Sequence, residues 1–108
     1  MQINVQKDQG IKVIKLISGE ELIGEINDFQ TVSPTFTIKK PLKVTIARGP
    51  DGMPGKMLID FYLLCPEVSE VTMYKSSLVS LPLDAPKETA DAWIQQTSGI
   101  VLATQLNG

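Results

Sequence analysis

Two β-rich segments, each interrupted by a sharp turn, constrain this chain more than any other feature of its sequence. In Ile11–Ile26, β-branched and other apolar residues dominate a strand that ends at the turn Ser18-Gly19, and a returning strand follows. In Val68–Pro82, a strand runs into the turn Tyr74–Ser77, and a further short strand follows that turn. Two such segments in one short chain predict a small sheet that folds back on itself.

The region between these segments predicts two more strands joined by a loop. Phe36–Arg48 is a long β-type stretch, and its Pro41 cannot donate to a sheet ladder, so we expect Pro41 at a bulge or on an edge. Gly49–Gly55 is dense in turn-forming residues, and Lys56–Cys65 is predicted as the following strand. Gly24, within the first segment, predicts a bulge or strong bend that would curl a short sheet into a barrel.

The C-terminal tail changes to a helical pattern. Asp84 is expected to cap the helix at its N-terminus, and Pro86 fits the first turn. Apolar or small residues recur at helical spacing at Ala90, Trp93, Ile94, Thr97 and Val101. A helix is therefore predicted within about residues 84–106, with Gly99 as an alternative end. Trp93 either packs against the sheet or anchors a partner.

Together these elements predict a mainly β fold in one domain that covers residues 1–108. Strands over Val71–Tyr74 and Leu78–Leu81 complete the β region. The expected architecture is a small, strongly bent five-stranded barrel over about residues 11–82 that carries a C-terminal α-helix.

Composition narrows the class of protein. Hydrophobic residues make up 43% and charged residues 20% of the sequence, which fits a folded domain and not a disordered one. The formal net charge is −2 and the pI is near 5.0, so nucleic-acid binding would have to come from a local patch.

The only cysteine, Cys65, lies in the apolar run MLIDFYLLC, which predicts a buried free thiol in a reducing compartment. Residues 1–10 are too polar for a secretory signal, and no apolar run approaches the ~20 residues of a membrane span, so we expect a cytoplasmic protein without a membrane partner.

Both segments resemble the bipartite signature of Sm-like proteins. Residues 16–26 read L-x-S-G-x-x-L-x-G-x-I, which is similar to the first Sm motif, with its hairpin glycine at Gly19 and its second glycine at Gly24. The second segment resembles bacterial Hfq, whose second motif leads from Val-Ser to Tyr-Lys and on to serine and proline. The matching residues here are Val68, Ser69, Tyr74, Lys75, Ser76, Ser77, Ser80 and Pro82. Small Sm-like proteins of phage origin with a C-terminal helix are the most similar subgroup.

This resemblance implies a homo-oligomeric ring of about five to seven subunits, built by pairing of edge strands. It also implies binding of single-stranded RNA near the pore. The sequence departs from the family at two places that matter for RNA. Ser76 stands where Hfq has a histidine, and the segment Lys39–Leu42 stands where Sm proteins carry the asparagine that reads uracil. The resemblance therefore does not extend to base-specific recognition of uridine.

A group of turn and strand residues is the best candidate for contact with RNA. In a ring, each lysine near the pore is repeated in every copy, which creates a positive belt on an acidic protein and makes binding salt-dependent. Tyr74 or Phe36 could stack a base. The predicted RNA-binding residues are Lys39, Lys40, Tyr74, Lys75, Ser76 and Ser77. The alternatives are that Tyr74 makes a core or inter-subunit contact and that Lys39-Lys40 lies on a solvated face.

The sequence carries no signature of catalysis, of a cofactor or of a metal site. It contains no histidine, no phosphate-binding loop and no nucleophile-elbow glycine pattern, so we expect a protein that is not an enzyme. Two functions remain as hypotheses. One is a ring that binds single-stranded RNA, and the other is a ring that serves as a structural or protein-interaction scaffold.

Overall fold

The computed structural model describes residues 10–65 and 67–98. Within these residues the fold is mainly β, with one antiparallel sheet of six strands followed by one α-helix. The elements, in chain order, are β1 (Ile11–Lys15), β2 (Glu21–Glu25), β3 (Thr35–Arg48), β4 (Pro54–Asp60), β5 (Glu70–Tyr74), a 3₁₀ turn (Lys75–Ser77), β6 (Leu83–Asp84) and α1 (Lys87–Ser98).

The first predicted hairpin is confirmed. β1 and β2 pair antiparallel from Ile11 opposite Glu25 to Lys15 opposite Glu21. Gly19 lies in the connecting turn with a φ of +108°, a conformation that side chains with a Cβ rarely adopt. β1 ends at Lys15, earlier than the sequence predicts, because past Lys15 the two arms of the hairpin are linked only by turn hydrogen bonds. β2 also ends early, at Glu25.

The bend predicted from Pro41 and Gly24 is also confirmed. The β2–β3 register shifts between Ile23, which faces Leu42, and Glu25, which faces Lys39, so β3 carries an extra residue there. This bulge contains Lys40, whose φ is +51°. Gly24 lies opposite the bulge, where β2 and β3 approach so closely that a Cβ at Gly24 would collide with β3.

The strand order is β4-β3-β2-β1-β6, and β5 also pairs with β3. Lys39 pairs with both Glu25 of β2 and Glu70 of β5, while Leu42 pairs with both Ile23 of β2 and Asp60 of β4. The strands β4 and β5 therefore follow one another along the same side of β3, opposite β2.

The five-stranded barrel is not confirmed, because over the described residues the sheet is not closed. The predicted strand Leu78–Leu81 is not formed. Instead, Leu78 makes an isolated bridge to Leu16, flanked by Ile17 N–H donating to Ser77 C=O at 2.8 Å and Val79 N–H donating to Lys15 C=O at 3.0 Å. These few bonds hold the chain after β5 against the end of β1. Only the two residues of β6 continue that pairing.

Successive residues of β2 point to opposite faces of the curled sheet and so supply two apolar clusters. Leu22 belongs to the cluster inside the curl, which consists of Ile14, Leu16, Leu22, Ile26, Phe36 and Ile38. Ile23 belongs to the cluster on the opposite face, which consists of Ile11, Ile23, Leu42 and Trp93 of α1. Phe36 is only 1% exposed, so the prediction that it could stack a base is wrong; it is a core residue.

The helix is confirmed and begins at Lys87, three residues after Asp84, the residue that the sequence predicts as its cap. Asp84 lies in β6, where it faces Lys12 of β1 and accepts a hydrogen bond from the Lys12 ammonium. Asp84, which the sequence places at the start of the helix, is therefore part of the sheet. The first helical hydrogen bond instead runs from Ala90 N–H to Pro86 C=O at 2.8 Å. The part of the predicted helix beyond residue 98, with Gly99 and Val101, lies outside the described residues.

Trp93 packs against the sheet, which is one of the two alternatives that the sequence left open. It is 7% exposed, and its indole Nε1 donates to the carbonyl oxygen of Lys40 at 2.9 Å. Since Lys40 is the bulged residue of β3, the helix satisfies a backbone acceptor at the irregular point of the sheet. The helix therefore fastens to the bend that gives the sheet its curvature.

The prediction of a buried Cys65 is wrong. The predicted strand Lys56–Cys65 is observed only as Pro54–Asp60, and after Asp60 the chain leaves the sheet. Cys65 is exposed, as are its apolar neighbours Leu63 and Leu64. The apolar run continues past the end of the strand, so its hydropathy predicts burial that the sheet does not provide.

Candidate functional site

The turn that follows β5 is a 3₁₀ turn over Lys75–Ser77, at the place where the sequence predicts a turn. The Ser77 hydroxyl donates to the Tyr74 carbonyl oxygen at 2.6 Å and holds the turn from within. Tyr74 is 67% exposed and Ser76 is exposed, so both side chains are accessible to a ligand. The exposure of Tyr74 rules out the core alternative within the described subunit.

The ammonium of Lys75 is engaged inside the chain. Its Nζ donates to the carbonyl oxygen of Thr31 at 2.7 Å and lies 4.9 Å from the centre of the Phe29 ring. A hydrogen bond and a cation–π contact together orient this lysine over the loop between β2 and β3. Lys75 is therefore half-buried, and a phosphate would have to compete with both contacts.

Lys39 and Lys40 lie at the bulge of β3 and are exposed. Lys39 faces Glu25 on one side and Glu70 on the other, so carboxylates flank it in both neighbouring strands. The backbone N–H of Lys40 donates to Ser69 C=O at 2.7 Å, and its Nζ makes a long contact of 3.5 Å to Thr97 C=O of α1.

The predicted RNA-binding residues do not form one cluster. The β3–β5 pairing begins with Thr35 opposite Tyr74 and ends with Lys39 opposite Glu70. Four residue steps along a strand span about 13 Å, so the two lysines and the 3₁₀ turn lie at opposite ends of this strand pair. A ligand that contacts both groups would have to follow the length of β5.

A groove that the sequence did not predict lies between the β1–β2 turn and the β3–β4 hairpin. Its volume is about 860 Å³. It is lined by Val13, Ser18, Gly19, Glu20, Glu21, Lys43, Val44, Thr45, Ile46, Lys56, Leu83, Asp84, Pro86 and Thr89. These residues come from distant parts of the chain, so no local pattern identifies the groove. The only signal for the groove in the sequence was the spacing of Val44 and Ile46, which places both side chains on the same face of β3.

Charged side chains of both signs line the rim of this groove. Ser18 donates a hydrogen bond to the Glu20 carboxylate, and this bond lowers the pKa of Glu20 below its ordinary value. Lys43 adds a smaller Coulombic contribution in the same direction. Both glutamates belong to the turn end of the hairpin, where Glu20 is partly exposed and Glu21 is exposed. The rim offers no paired, buried carboxylates of the kind that acid–base catalysis uses.

Within residues 10–65 and 67–98, no group of three or more Asp, Glu, Cys or His side chains is arranged to hold a metal ion. In the same part of the chain, no helix has the length and hydropathy needed to cross a membrane. The sequence matches no protein-family model, and a search of curated proteins finds none that is similar to it.

Proposed function

We propose that this chain is an Sm-like protein that assembles with itself into a ring and acts as a structural or protein-interaction scaffold. The observation that carries the proposal is the exposure of its apolar side chains. Among the described residues, thirteen large hydrophobic side chains are exposed and ten hydrophobic residues are buried. Exposed apolar residues that lie together mark interaction surfaces, and Val79, Leu81 and Leu83 lie together on one short segment. We infer a cytoplasmic ring, because a lone free cysteine is typical of a reducing compartment.

Unpaired strand edges supply the directional part of such an interface. Lys75 N–H bonds to Pro34 C=O and Lys40 N–H bonds to Ser69 C=O, so odd-numbered residues of β5 bond to β3. The N–H groups of Glu70, Thr72 and Tyr74 consequently turn to the outer edge of β5. An unpaired edge of this kind is a template for pairing with another chain.

A second and different edge lies on the other side of the curled sheet. The segment 77–84 pairs with β1 through its inner side, while Val79, Leu81 and Leu83 on it are 56%, 72% and 62% exposed. Contact between two different edges of identical subunits is heterologous, and such contacts close into rings when the rotation allows it. In this proposal, the edge of β5 in one copy pairs with segment 77–84 of the next and completes a barrel-like β layer.

Substitution of Thr72 tests this edge. We expect the native protein to have the mass of a multi-subunit ring in light scattering coupled to chromatography. Thr72→Pro removes an outward N–H without removing a bond to β3, so it should shift the mass to that of the monomer. The matched control, Thr72→Val, keeps the N–H and should keep the ring.

The fluorescence of Trp93, the only tryptophan of the sequence, reports whether each variant remains folded. A native protein that is monomeric at micromolar concentration would contradict the ring. A folded Thr72→Pro variant that keeps the full mass would show that assembly uses another surface.

Binding of single-stranded RNA is the second candidate, and one observation favours it. Tyr74 presents an exposed ring next to the exposed Ser76, and repetition around a ring would multiply such a stacking face. Thr31 and Phe29 contact the ammonium of Lys75, and Lys39 lies opposite a glutamate in each neighbouring strand. These surroundings leave less free positive charge than the sequence implied. The scaffold is therefore the function we place first.

A salt titration with oligo-U and oligo-A separates the two candidates. For the scaffold, we expect no binding at low salt. For the RNA-binding ring, Tyr74→Ala should weaken binding by about 1–3 kcal/mol for each stacked base. Lys40→Gly and Lys75→Ala should each reduce the salt dependence. Lys40→Gly is a suitable variant because a glycine accepts the φ of +51° at this position without strain. Binding that none of these variants changes would place the RNA elsewhere.

A further inference from the structure

An apolar loop projects from the sheet between β4 and β5. Residues 61–65, with the sequence FYLLC, form this apolar loop, and Leu63 and Leu64 at its tip are 68% and 96% exposed. The ring of Tyr62 packs edge to face on Phe61 with the ring centroids 4.8 Å apart, and Phe61 packs on the cluster inside the curl. The base of the loop is therefore held on the sheet, while its tip presents two leucines to the solvent.

Backbone hydrogen bonds hold both ends of this connection at the bulge of β3. Phe61 N–H donates to Pro41 C=O at 3.4 Å, and Lys40 N–H donates to Ser69 C=O at 2.7 Å. The apolar loop therefore lies on the side of β3 that carries β4 and β5, opposite β2. Exposed leucines on a loop with a fixed base form a surface that is ready to pack against another molecule.

The groove beside the β1–β2 turn is a concave apolar surface that the subunit leaves open. Its apolar part is formed by four side chains, Val13, Val44, Ile46 and Leu83. Val13 also packs against the cluster that contains Trp93, so the groove continues this cluster beyond the helix. Ile46 is 65% exposed. The apolar loop of the same subunit does not cover the groove, because the two leucines at its tip are exposed.

The charges of the two surfaces are also complementary. Residues 60–70 contain three carboxylates and no cation. On the rim of the groove, Glu21 and Asp84 already form ion pairs with lysines of β1, and Glu20 accepts a hydrogen bond from a turn hydroxyl. Among the described residues, no ion pair involves Lys56 on the same rim. The groove therefore offers a cation to a loop with acidic flanks.

The proposed ring brings these two surfaces together. In that ring, the edge of β5 in one copy pairs with segment 77–84 of the next. Every strand pair within the subunit is antiparallel, and an antiparallel pairing between copies sets Glu70, the start of β5, beside Asp84, the end of that segment. The apolar loop shortly precedes β5, and Leu83 and Asp84 line the groove. Pairing of the two edges consequently brings the loop of one copy to the groove of the next.

We propose that the apolar loop of one copy packs into this groove of the neighbouring copy, with Leu63 and Leu64 on Val44 and Ile46. This inference rests on the proposed self-assembly and adds a contact between side chains to the pairing of backbone edges. Edge pairing by itself specifies the register of two strands only weakly. A loop seated in a groove fixes that register, and it also buries apolar side chains that each subunit leaves exposed.

A double-mutant cycle on the dissociation of the ring tests the proposal. The loop variant carries Leu63→Ala and Leu64→Ala, and the groove variant carries Val44→Ala and Ile46→Ala. None of these residues lies on β5 or on segment 77–84, so the pairing of the edges is not altered directly. In light scattering over a dilution series, we expect each variant to raise the concentration of half-dissociation by about tenfold or more. The combined variant should raise it by less than the product of the two factors, because residues in contact lose the same interaction.

Met53→Ala is the matched control, since Met53 is 63% exposed and belongs to neither surface. It should leave the dissociation unchanged, and the fluorescence of Trp93 should show that every variant stays folded. If Val44→Ala disturbs the fold, Ile46→Ala alone, at an exposed position, completes the cycle.

The other outcomes overturn the proposal, and they distinguish it from the ring itself. A native ring whose dissociation the loop and groove variants leave unchanged would overturn the loop contact and leave the ring intact. Factors that simply multiply in the combined variant, or an equal effect of Met53→Ala, would also overturn direct contact between loop and groove. A native protein that is monomeric would overturn the ring and the loop contact together.

Discussion

Replacement of Trp93 with alanine is expected to lower the free energy of unfolding by about 3–5 kcal/mol. The side chain is 7% exposed and packs with Ile11, Ile23 and Leu42 on the outer face of the sheet. Its removal leaves a cavity under α1 and also deprives the Lys40 carbonyl of its hydrogen-bond donor. The loss should appear in urea unfolding followed by far-ultraviolet circular dichroism, at one protein concentration because assembly contributes to stability.

Two further variants separate the parts of this effect. Trp93→Phe keeps much of the apolar contact but removes the indole N–H, so the unpaired Lys40 carbonyl should account for about 1–3 kcal/mol. Gln95→Ala changes an exposed residue of the same helix and should have an effect within about 0.5 kcal/mol. If Trp93→Ala were no more destabilising than Gln95→Ala, the helix would not be fastened to the sheet as described.

Replacement of Gly24 with alanine is expected to cost about 3 kcal/mol, the upper part of the range for overpacking. A Cβ at Gly24 would lie 2.5 Å from Cγ1 of Ile38 and 2.8 Å from the carbonyl oxygen of Lys39. Ile38 is fully buried and the Lys39 oxygen belongs to the backbone, so neither can move aside without shifting β3. The same unfolding measurement checks the result.

Gly55→Ala is the matched control for this prediction. Gly55 also lies in a strand, β4, but the nearest atom to its added Cβ is the Ala47 carbonyl oxygen at 3.9 Å. We expect a change within about 0.5 kcal/mol, as for an ordinary exposed position. Equal effects from the two substitutions would show that Gly24 is not needed for the close approach of β2 and β3.

The variants Trp93→Ala and Gly24→Ala concern the features that could be predicted best from the sequence. Pro41 cannot donate to a ladder and Gly24 has no Cβ, so both report backbone geometry directly, and the bulge is where they indicated it. Gly19 marks the first hairpin for the same reason. The spacing of Ala90, Trp93 and Ile94 likewise predicted the face of α1 that packs on the sheet.

Features that depend on a distant partner were not predictable in this way. Asp84 has the chemistry of a helix cap, but pairing with Lys12 of β1 decides its place. The lysines Lys39 and Lys75 appeared free in the sequence, and only the folded chain brings Glu25, Glu70 and Thr31 to them. The groove beside β3 arises where two hairpins diverge, which no single segment encodes.

The sequence by itself determined the local conformations of this protein, because turns, bulges and amphipathic faces follow from residues a few positions apart. The tertiary structure alone decided which edges stay unpaired, which apolar side chains stay exposed and which charges are neutralised. Those outcomes depend on pairing between strands far apart in the chain, such as Lys12 with Asp84 and Thr35 with Tyr74. The exposed edges and apolar side chains are also what the proposed assembly would use.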